Sequence, residues 1–246
     1  MKAMIFAAGL GTRLRPLTND RPKALVEVAG KTMLQRVIEH LAQHGFDDIT
    51  INIHHFGDKI VKFLEQNHNF GLNIHISDER DYLLDTGGGL LYARKFLDGD
   101  EPFLIQNVDI LTDIDLHTLY TRHTRQQALA TLLVKPRKTQ RYLLFDEKNT
   151  LKGWINKSTL ETKPENFTYA EGLFQELAFG GIHVISPQVF DLLENYAQGE
   201  RKFSIIPFYV EACSRHIIQG YQQQAPYRWF DIGKPETLAS AQSEFE

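Results

Sequence analysis

The chain has 246 residues, 42% of them hydrophobic and 24% charged, with a formal net charge of -4. That length can bury a sizeable core, and that balance excludes wholesale disorder. The acidic balance leaves no global positive field to hold a nucleic acid, and a single cysteine, Cys213, excludes an intrachain disulfide framework and a cysteine-based zinc site.

Lys2 to Ala7 is an apolar run that reads as a buried strand. Glycines and arginines follow it at once, unlike the longer apolar region of a signal peptide, and no run reaches the ~20 apolar residues of a membrane span. The expected setting is the cytoplasm, with no membrane or nucleic-acid partner. Leu34, Val37, Ile38 and Leu41 fall at helical spacing, and Gly45 stops that helix. Ile49 to Ile53 reads as a strand, Ile60, Val61, Phe63 and Leu64 as a helical face, and Leu72 to Ile76 as an alternating strand. Gly87 to Leu97 reads as a helix with a glycine-rich start, and Phe103 to Gln106 as a short strand. Strands alternating with helices of this length predict an α/β fold with a mostly parallel, doubly wound sheet.

After Leu116 the rhythm loosens. A helix near Leu116 to Arg125 leads to a strand over Ala128 to Val134. Tyr142 to Phe145 and Leu151 to Ile155 form a hairpin around Glu147-Lys148-Asn149, and Thr159 to Gly172 reads as a polar loop. Phe179 to Ile185 is a strand, Ser186-Pro187 opens a helix, and Pro235 to Phe245 is helical. With no repeat and no linker, the expected organisation is a single domain with a small appended second half.

In open α/β sheets ligands bind beyond the carboxyl ends of the strands. Ala7-Ala8-Gly9-Leu10-Gly11-Thr12-Arg13 follows the first strand directly. Its glycines let the backbone turn and point N–H groups at phosphate, while Arg13 and Lys23 bring the cations a triphosphate needs. A dinucleotide fingerprint would need a third glycine where Leu14 stands, and a P-loop would need Gly-Lys-Ser/Thr. A bare Gly-x-Gly also suits a plain turn. Asp109 and Asp231 each end a β-prone run; two such carboxylates suit Mg²⁺, and either alone equally suits a cap of the next turn.

The run AAGLGTRLRPLT, with Pro22-Lys23-Ala24-Leu25 after it, resembles the signature of sugar-1-phosphate nucleotidyltransferases. Those enzymes join a nucleoside triphosphate to a sugar 1-phosphate and release pyrophosphate. The resemblance covers nearly the whole chain. It implies a Rossmann-like α/β/α sandwich with an inserted sugar-binding β portion. One domain, 1–246, then has a nucleotide-binding part over about residues 1–115 and a sugar-binding and C-terminal part over about 116–246. It implies that Ala8, Gly9, Gly11, Thr12, Arg13 and Lys23 wrap the triphosphate, with Arg13 and Lys23 catalytic, and that Asp109 and Asp231 hold Mg²⁺. Val108 departs from the small residue common before the first aspartate.

Thr86-Gly87-Gly88-Gly89 opens a helix, where glycines suggest either a backbone approach to a ligand or a flexible first turn. In the family this position lines base and sugar, which puts Thr86, Gly87 and Gly88 at the nucleotide. The form looks most like the N-acetylmuramic acid 1-phosphate uridylyltransferases, and also like heptose- and mannose-1-phosphate guanylyltransferases. The implied substrates are therefore UTP with N-acetylmuramic acid 1-phosphate, or GTP with a mannose or heptose 1-phosphate. His54 is expected to be structural or exposed rather than part of the base pocket. Many relatives carry Glu-Lys-Pro where this chain has Asn156-Lys157-Ser158, so Lys157 is expected on the sugar phosphate with Asn156 in place of the glutamate. Gly181 is expected to meet the sugar through its backbone, and Glu171 to reach sugar hydroxyls. The chain ends soon after Asp231, so no C-terminal hexapeptide-repeat β-helix is expected. Two rival classes are a non-catalytic nucleotide-binding relative, against which the aspartate pair argues, and a dinucleotide oxidoreductase, which lacks its third glycine.

Overall fold

The computed structural model describes residues 1–245. The chain runs β1 (Lys2–Phe6), β2 (Glu27–Val28), β3 (Lys31–Thr32), α1 (Met33–Gln43), β4 (Asp48–Ile53), α2 (Gly57–Gln66) and β5 (Asn73–Asp78). It continues through α3 (Asp85–Tyr92), α4 (Arg94–Leu97), β6 (Phe103–Asn107), β7 (Ile110–Thr112), α5 (Leu116–Gln126), β8 (Ala130–Lys135) and β9 (Arg141–Phe145). The remaining elements are β10 (Leu151–Asn156), β11 (Glu161–Lys163), β12 (Gln175–Ile185), α6 (Val189–Ala197), α7 (Ile205–Ala212), β13 (Ile218–Tyr221), β14 (Trp229–Asp231) and α8 (Pro235–Phe245).

A mixed sheet forms the middle layer, in the order β11-β10-β9-β12-β6-β1-β4-β5, with β8 on β12 and β13 on β8. β1, β4, β5 and β6 are mutually parallel. β12 is antiparallel to both β6 and β8, so β8 runs in the same direction as β6. The sheet is buried on both faces, which is why its central strands are apolar runs rather than alternating ones. Ala3 and Ile5 of β1 pack in one core with α1, α2, α5 and α8 residues such as Val37, Ile60, Leu119 and Leu238. Met4 packs in the other, with Leu90, Leu97, Phe190 and Phe208 of α3, α4, α6 and α7. The expected α/β architecture is therefore present as helix, sheet and helix layers. No helix among the described residues is long and apolar enough to cross a membrane.

Local chemistry sets the helix ends. Thr32 starts α1 by accepting a hydrogen bond from the Gln35 N–H at 3.1 Å, and Asp115 starts α5 the same way with Thr118 at 2.8 Å. The chain departs from the sequence expectation in four places. The helix expected over Gly87 to Leu97 is divided at Ala93 into α3 and α4, and the polar loop over Thr159 to Gly172 contains β11. β7, and the pair α7 and β13, carry too few residues or too uniform an apolar pattern to be read from periodicity, whereas the β-prone run that Asp231 ends is β14.

One feature of the strand order places the site. From β1 the chain adds β4 and then β5 on one side, and β6 returns to the other side of β1. The crevice lies where that order reverses, beyond the carboxyl ends of β1 and β6. Ala7 to Gly11 leave β1 there, and Val108-Asp109 leave β6 beside them.

Candidate active site

A cleft of about 480 Å³ opens at this reversal. It is lined by the loop from Ala7 to Leu14, by Lys23, by Asn52 and Glu79 at the ends of β4 and β5, by Asp85 and Thr86, by Asn107 to Asp109, and by Lys202 and Gly233. The loop keeps its shape through two glycines used differently. Gly11 has φ +65°, and a Cβ there would stand 3.0 Å from the Lys23 Cβ and 3.1 Å from the Thr18 Cγ2. Its carbonyl accepts a hydrogen bond from the Thr18 hydroxyl at 2.9 Å. A Cβ on Gly9 would meet nothing within 4 Å, so Gly9 faces open space.

Two buried residues behind the loop went unnoticed in the sequence. The Asn52 Oδ1 accepts from the Ala7 and Ala8 N–H groups at 2.7 and 3.2 Å, and its Nδ2 donates to the Glu79 Oε1 at 2.7 Å. The other Glu79 oxygen accepts from the Leu84 N–H at 3.1 Å. This strut ties the glycine loop to the opposite wall of the cleft. Burial pushes the Glu79 carboxyl pKa above its ordinary value, against the pull of the Asn52 and Leu84 hydrogen bonds. The only signal for either residue in the sequence is a lone polar side chain at the end of an apolar strand. His54 is half-buried, with its Nδ1 2.7 Å from the Glu79 carbonyl, a structural position in keeping with expectation.

The two aspartates meet through the backbone. β14 pairs antiparallel with β7, Asp231 opposite Ile110, and the Ile232 N–H donates to the Asp109 carbonyl at 2.8 Å. The nearly buried Lys23 ammonium forms an ion pair with the Asp109 carboxylate. The Asp231 Oδ1 is buried and has no hydrogen-bond partner among the described residues. A Cβ on Gly233 would lie 2.8 Å from that oxygen and 2.9 Å from the Arg13 Nη2. Glycine at 233 leaves a space that the guanidinium and the carboxylate both border and that a side chain would fill.

The glycines of α3 depart from the ligand-approach reading. A Cβ on Gly87 would stand 2.4 Å from the Phe203 ring, and one on Gly88 would stand 2.1 Å from the Arg201 carbonyl oxygen. Their N–H groups donate to the Phe203 carbonyl at 2.8 and 3.2 Å. The close approach they permit is to the 201–203 segment, and their amides are already engaged. Gly89 makes room for Glu79. Thr86 does line the cleft, and its hydroxyl accepts from the Ile205 N–H at 3.0 Å.

The sugar-side candidates separate. Gly181, φ +76°, forms a bulge of β12 against the site: a Cβ there would lie 2.6 Å from the Ile110 Cγ1 and 3.2 Å from the Asn107 Nδ2. Lys157 lies outside the cleft; its ammonium donates to the Glu176 Oε1 at 2.6 Å and to the Tyr169 hydroxyl at 3.0 Å. Glu176 and Tyr169 push the Lys157 pKa up. The Asn156 Oδ1 accepts from the Ser158 N–H at 3.0 Å, so that side chain serves its own turn. Glu171 is exposed in the turn before β12. The carboxylate beside Lys157 therefore comes from Glu176, on another strand, and not from position 156.

Residues 2–246 match the nucleotidyl transferase family. The chain belongs to this family. It is a nucleotidyltransferase of the sugar-phosphate class. It is 29% identical to the N-acetylmuramate alpha-1-phosphate uridylyltransferase of Caulobacter vibrioides, over 98% of this chain and 95% of that one. It is 30% identical to the mannose-1-phosphate guanylyltransferase catalytic subunit beta of Dictyostelium discoideum, over 98% of this chain and 63% of that one. Its fold is similar to that of a UDP-glucose pyrophosphorylase from Acinetobacter baumanii, with a TM-score of 0.77 and 19% identity over 99% and 92% of the two chains.

Proposed function

We propose that this enzyme transfers a uridylyl group from UTP to N-acetylmuramic acid 1-phosphate and releases pyrophosphate. The observation that supports the transfer chemistry is a cleft built by the glycine loop and lined by Arg13, Lys23 and Asp109, with Asp231 beside Gly233 at its edge. The choice of uridine and muramic acid rests on the full-length likeness to the Caulobacter vibrioides enzyme.

In this reading Ala8, Gly9, Gly11 and Thr12 receive the triphosphate. Gly9 leaves room for phosphate where any side chain would intrude. Arg13 grips the departing pyrophosphate through its planar fork, and Lys23 moves charge toward the phosphate chain from its place on Asp109. Thr86 borders the nucleoside, while Gly87 and Gly88 act indirectly by seating the 201–203 segment. Gly181 offers the acceptor a backbone surface beside the aspartates. Lys157, Asn156 and Glu171 form the outer sugar side, with Glu176 supplying the carboxylate next to Lys157.

Asp109 and Asp231 fit a divalent cation. The buried, unpartnered Asp231 Oδ1 is an oxygen donor in want of a partner. Two carboxylates with phosphate oxygens and water are what Mg²⁺ favours, and when bound it would offset the negative charge of both substrates. A sugar phosphate is already a nucleophile, so this chain needs no general base. Its residues orient two anions in line and stabilise the charge on the leaving group.

The test is pyrophosphate release across UTP, GTP and TTP, each with N-acetylmuramic acid, mannose and glucose 1-phosphates. UTP with N-acetylmuramic acid 1-phosphate should give the highest kcat/KM. A preference for GTP with mannose 1-phosphate would overturn the substrate assignment, and no release from any pair would overturn the catalytic one.

A further inference from the structure

The acceptor side of the aspartates carries two cations that the transfer chemistry does not use. β8 runs parallel to β6, so its carboxyl end, Lys135, emerges at the same edge of the sheet as Asp109. The Lys135 ammonium lies 4.2 Å from the centre of the Trp229 ring, and the Arg137 guanidinium 5.4 Å from it. Both fall within the ~6 Å reach of a cation–π contact. Trp229 is itself fixed, because its Nε1 donates to the Gly180 carbonyl at 2.9 Å, next to the Gly181 bulge. Trp229 and Asp231 are two apart on β14, so they share a face, with Cα atoms ~6.5 Å apart. A row runs from Asp231 through Trp229 to Lys135 and Arg137.

Neither cation has a carboxylate within 4 Å among the described residues, whereas Lys157, Arg228 and Arg94 are all paired. Partial burial and the neighbouring Arg137 charge push the Lys135 pKa down, which an added anion would reverse. Two like charges share one indole, at the ligand edge of the sheet and without a carboxylate partner among the described residues.

We propose that Lys135 and Arg137, stacked on Trp229, bind an acidic substituent of the acceptor sugar, separate from its 1-phosphate. The inference rests on the reading of the acceptor as a sugar 1-phosphate and explains how a sugar acid is told from a neutral sugar. The ligand class is a hexose 1-phosphate bearing a carboxylate, such as the lactyl ether of N-acetylmuramic acid.

The experiment compares N-acetylmuramic acid 1-phosphate with N-acetylglucosamine 1-phosphate, which differ only in that lactyl group, each with UTP. The wild type should favour the acid. Lys135→Met and Arg137→Gln should each lower kcat/KM for the acid roughly tenfold to a hundredfold, the worth of one charged hydrogen bond, mainly through KM. Rates with the neutral sugar should stay within about twofold, which also shows that the variants fold, and Lys135→Arg should retain most of the preference. An equal loss on both sugars would put these cations on the 1-phosphate or in the framework and overturn the proposal. So would unchanged rates on both, or a wild type that does not distinguish the two sugars. A wild type inactive with UTP on either sugar would instead remove the functional reading on which the subsite stands.

Discussion

Gly88 and Gly9 make opposite demands on an added methyl group. Gly88→Ala places a Cβ 2.1 Å from the Arg201 carbonyl oxygen, well over 1 Å inside ordinary contact. The obstacle is backbone, so no rotamer change relieves it. Either α3 or the 201–203 segment must shift, at ~1–3 kcal/mol for overpacking. The shift also weakens the two N–H bonds to the Phe203 carbonyl, each worth ~0.5–1.5 kcal/mol net. Helix propensity returns ~1 kcal/mol, because alanine is the better helix former. The sum is a loss of about 2 kcal/mol, to be read as a lower urea midpoint with an unchanged slope. Gly9→Ala meets nothing within 4 Å, so stability should be unchanged or up by ~0.4–1 kcal/mol, while pyrophosphate release falls because the methyl group stands where phosphate must approach. If Gly88→Ala were as stable as wild type, or Gly9→Ala fully active, the division of labour between packing and ligand glycines would be wrong.

Asp231→Asn should hold the thermal midpoint within a few degrees, since its Oδ1 has no partner to lose, yet cut kcat by ~10²–10³ or more; near-normal turnover with Mg²⁺ would remove Asp231 from the metal site. Arg13→Lys keeps the charge but replaces a planar fork with a point charge, so kcat/KM for the nucleotide should fall markedly, and unchanged kinetics would show that no bidentate contact exists. Glu79→Gln removes an acceptor that two donors need, Asn52 Nδ2 and the Leu84 N–H, and should cost ~1–3 kcal/mol of stability although it neutralises a buried carboxyl; a more stable variant would mean that burial outweighs the hydrogen bonds. Buried His123 and His183 have their pKa values lowered by desolvation to about 4 and about 3. The unfolded chain therefore takes up their protons first, and stability should be lost as pH falls from the ordinary histidine value toward 4, at up to ~2.7 kcal/mol per pH unit for the pair. Urea titrations at several pH values check the slope, and a flat profile would refute it.

The parallel half of the sheet was legible because burial on both faces leaves strands such as Ala3-Met4-Ile5 as continuous apolar runs. The glycine loop and Asp109 follow such runs directly, which singles them out as candidates, whereas Arg13 and Lys23 stand out by their charge in the polar stretch after the loop. The strand β7 was not legible, since three residues carry too little periodicity, and α7 hid because it is apolar on most sides with Pro207 in its first turn. Asn52 and Glu79 were missed for another reason. Their role exists only as a pair, and 27 residues of chain separate them. The triglycine carries a general point: glycine announces a close approach but does not say to what. At Gly87 and Gly88 the approaching group is the 201–203 segment, which the chain supplies more than a hundred residues later, and at Gly89 it is Glu79.

A buried ion pair is weak evidence for stability, because removing two charges from water offsets much of their attraction. Lys23 on Asp109 is therefore better understood through the cleft than through the fold. The β1 side contributes cations, and the β6 and β14 sides contribute carboxylates. The Ile232 to Asp109 backbone bond locks the two acidic segments together, and Gly233 leaves a space that Arg13 and Asp231 both border. Lys23 is held by the opposite charge of Asp109, and the two aspartates sit at the ends of β6 and β14. A phosphate chain entering the cleft then meets groups already in position, so little reorganisation is left for the moment of transfer, and preorganisation of this kind is where electrostatic catalysis gains most over water. The cost is the buried, unpartnered Asp231 oxygen, an arrangement that a framework selected for stability alone would not keep.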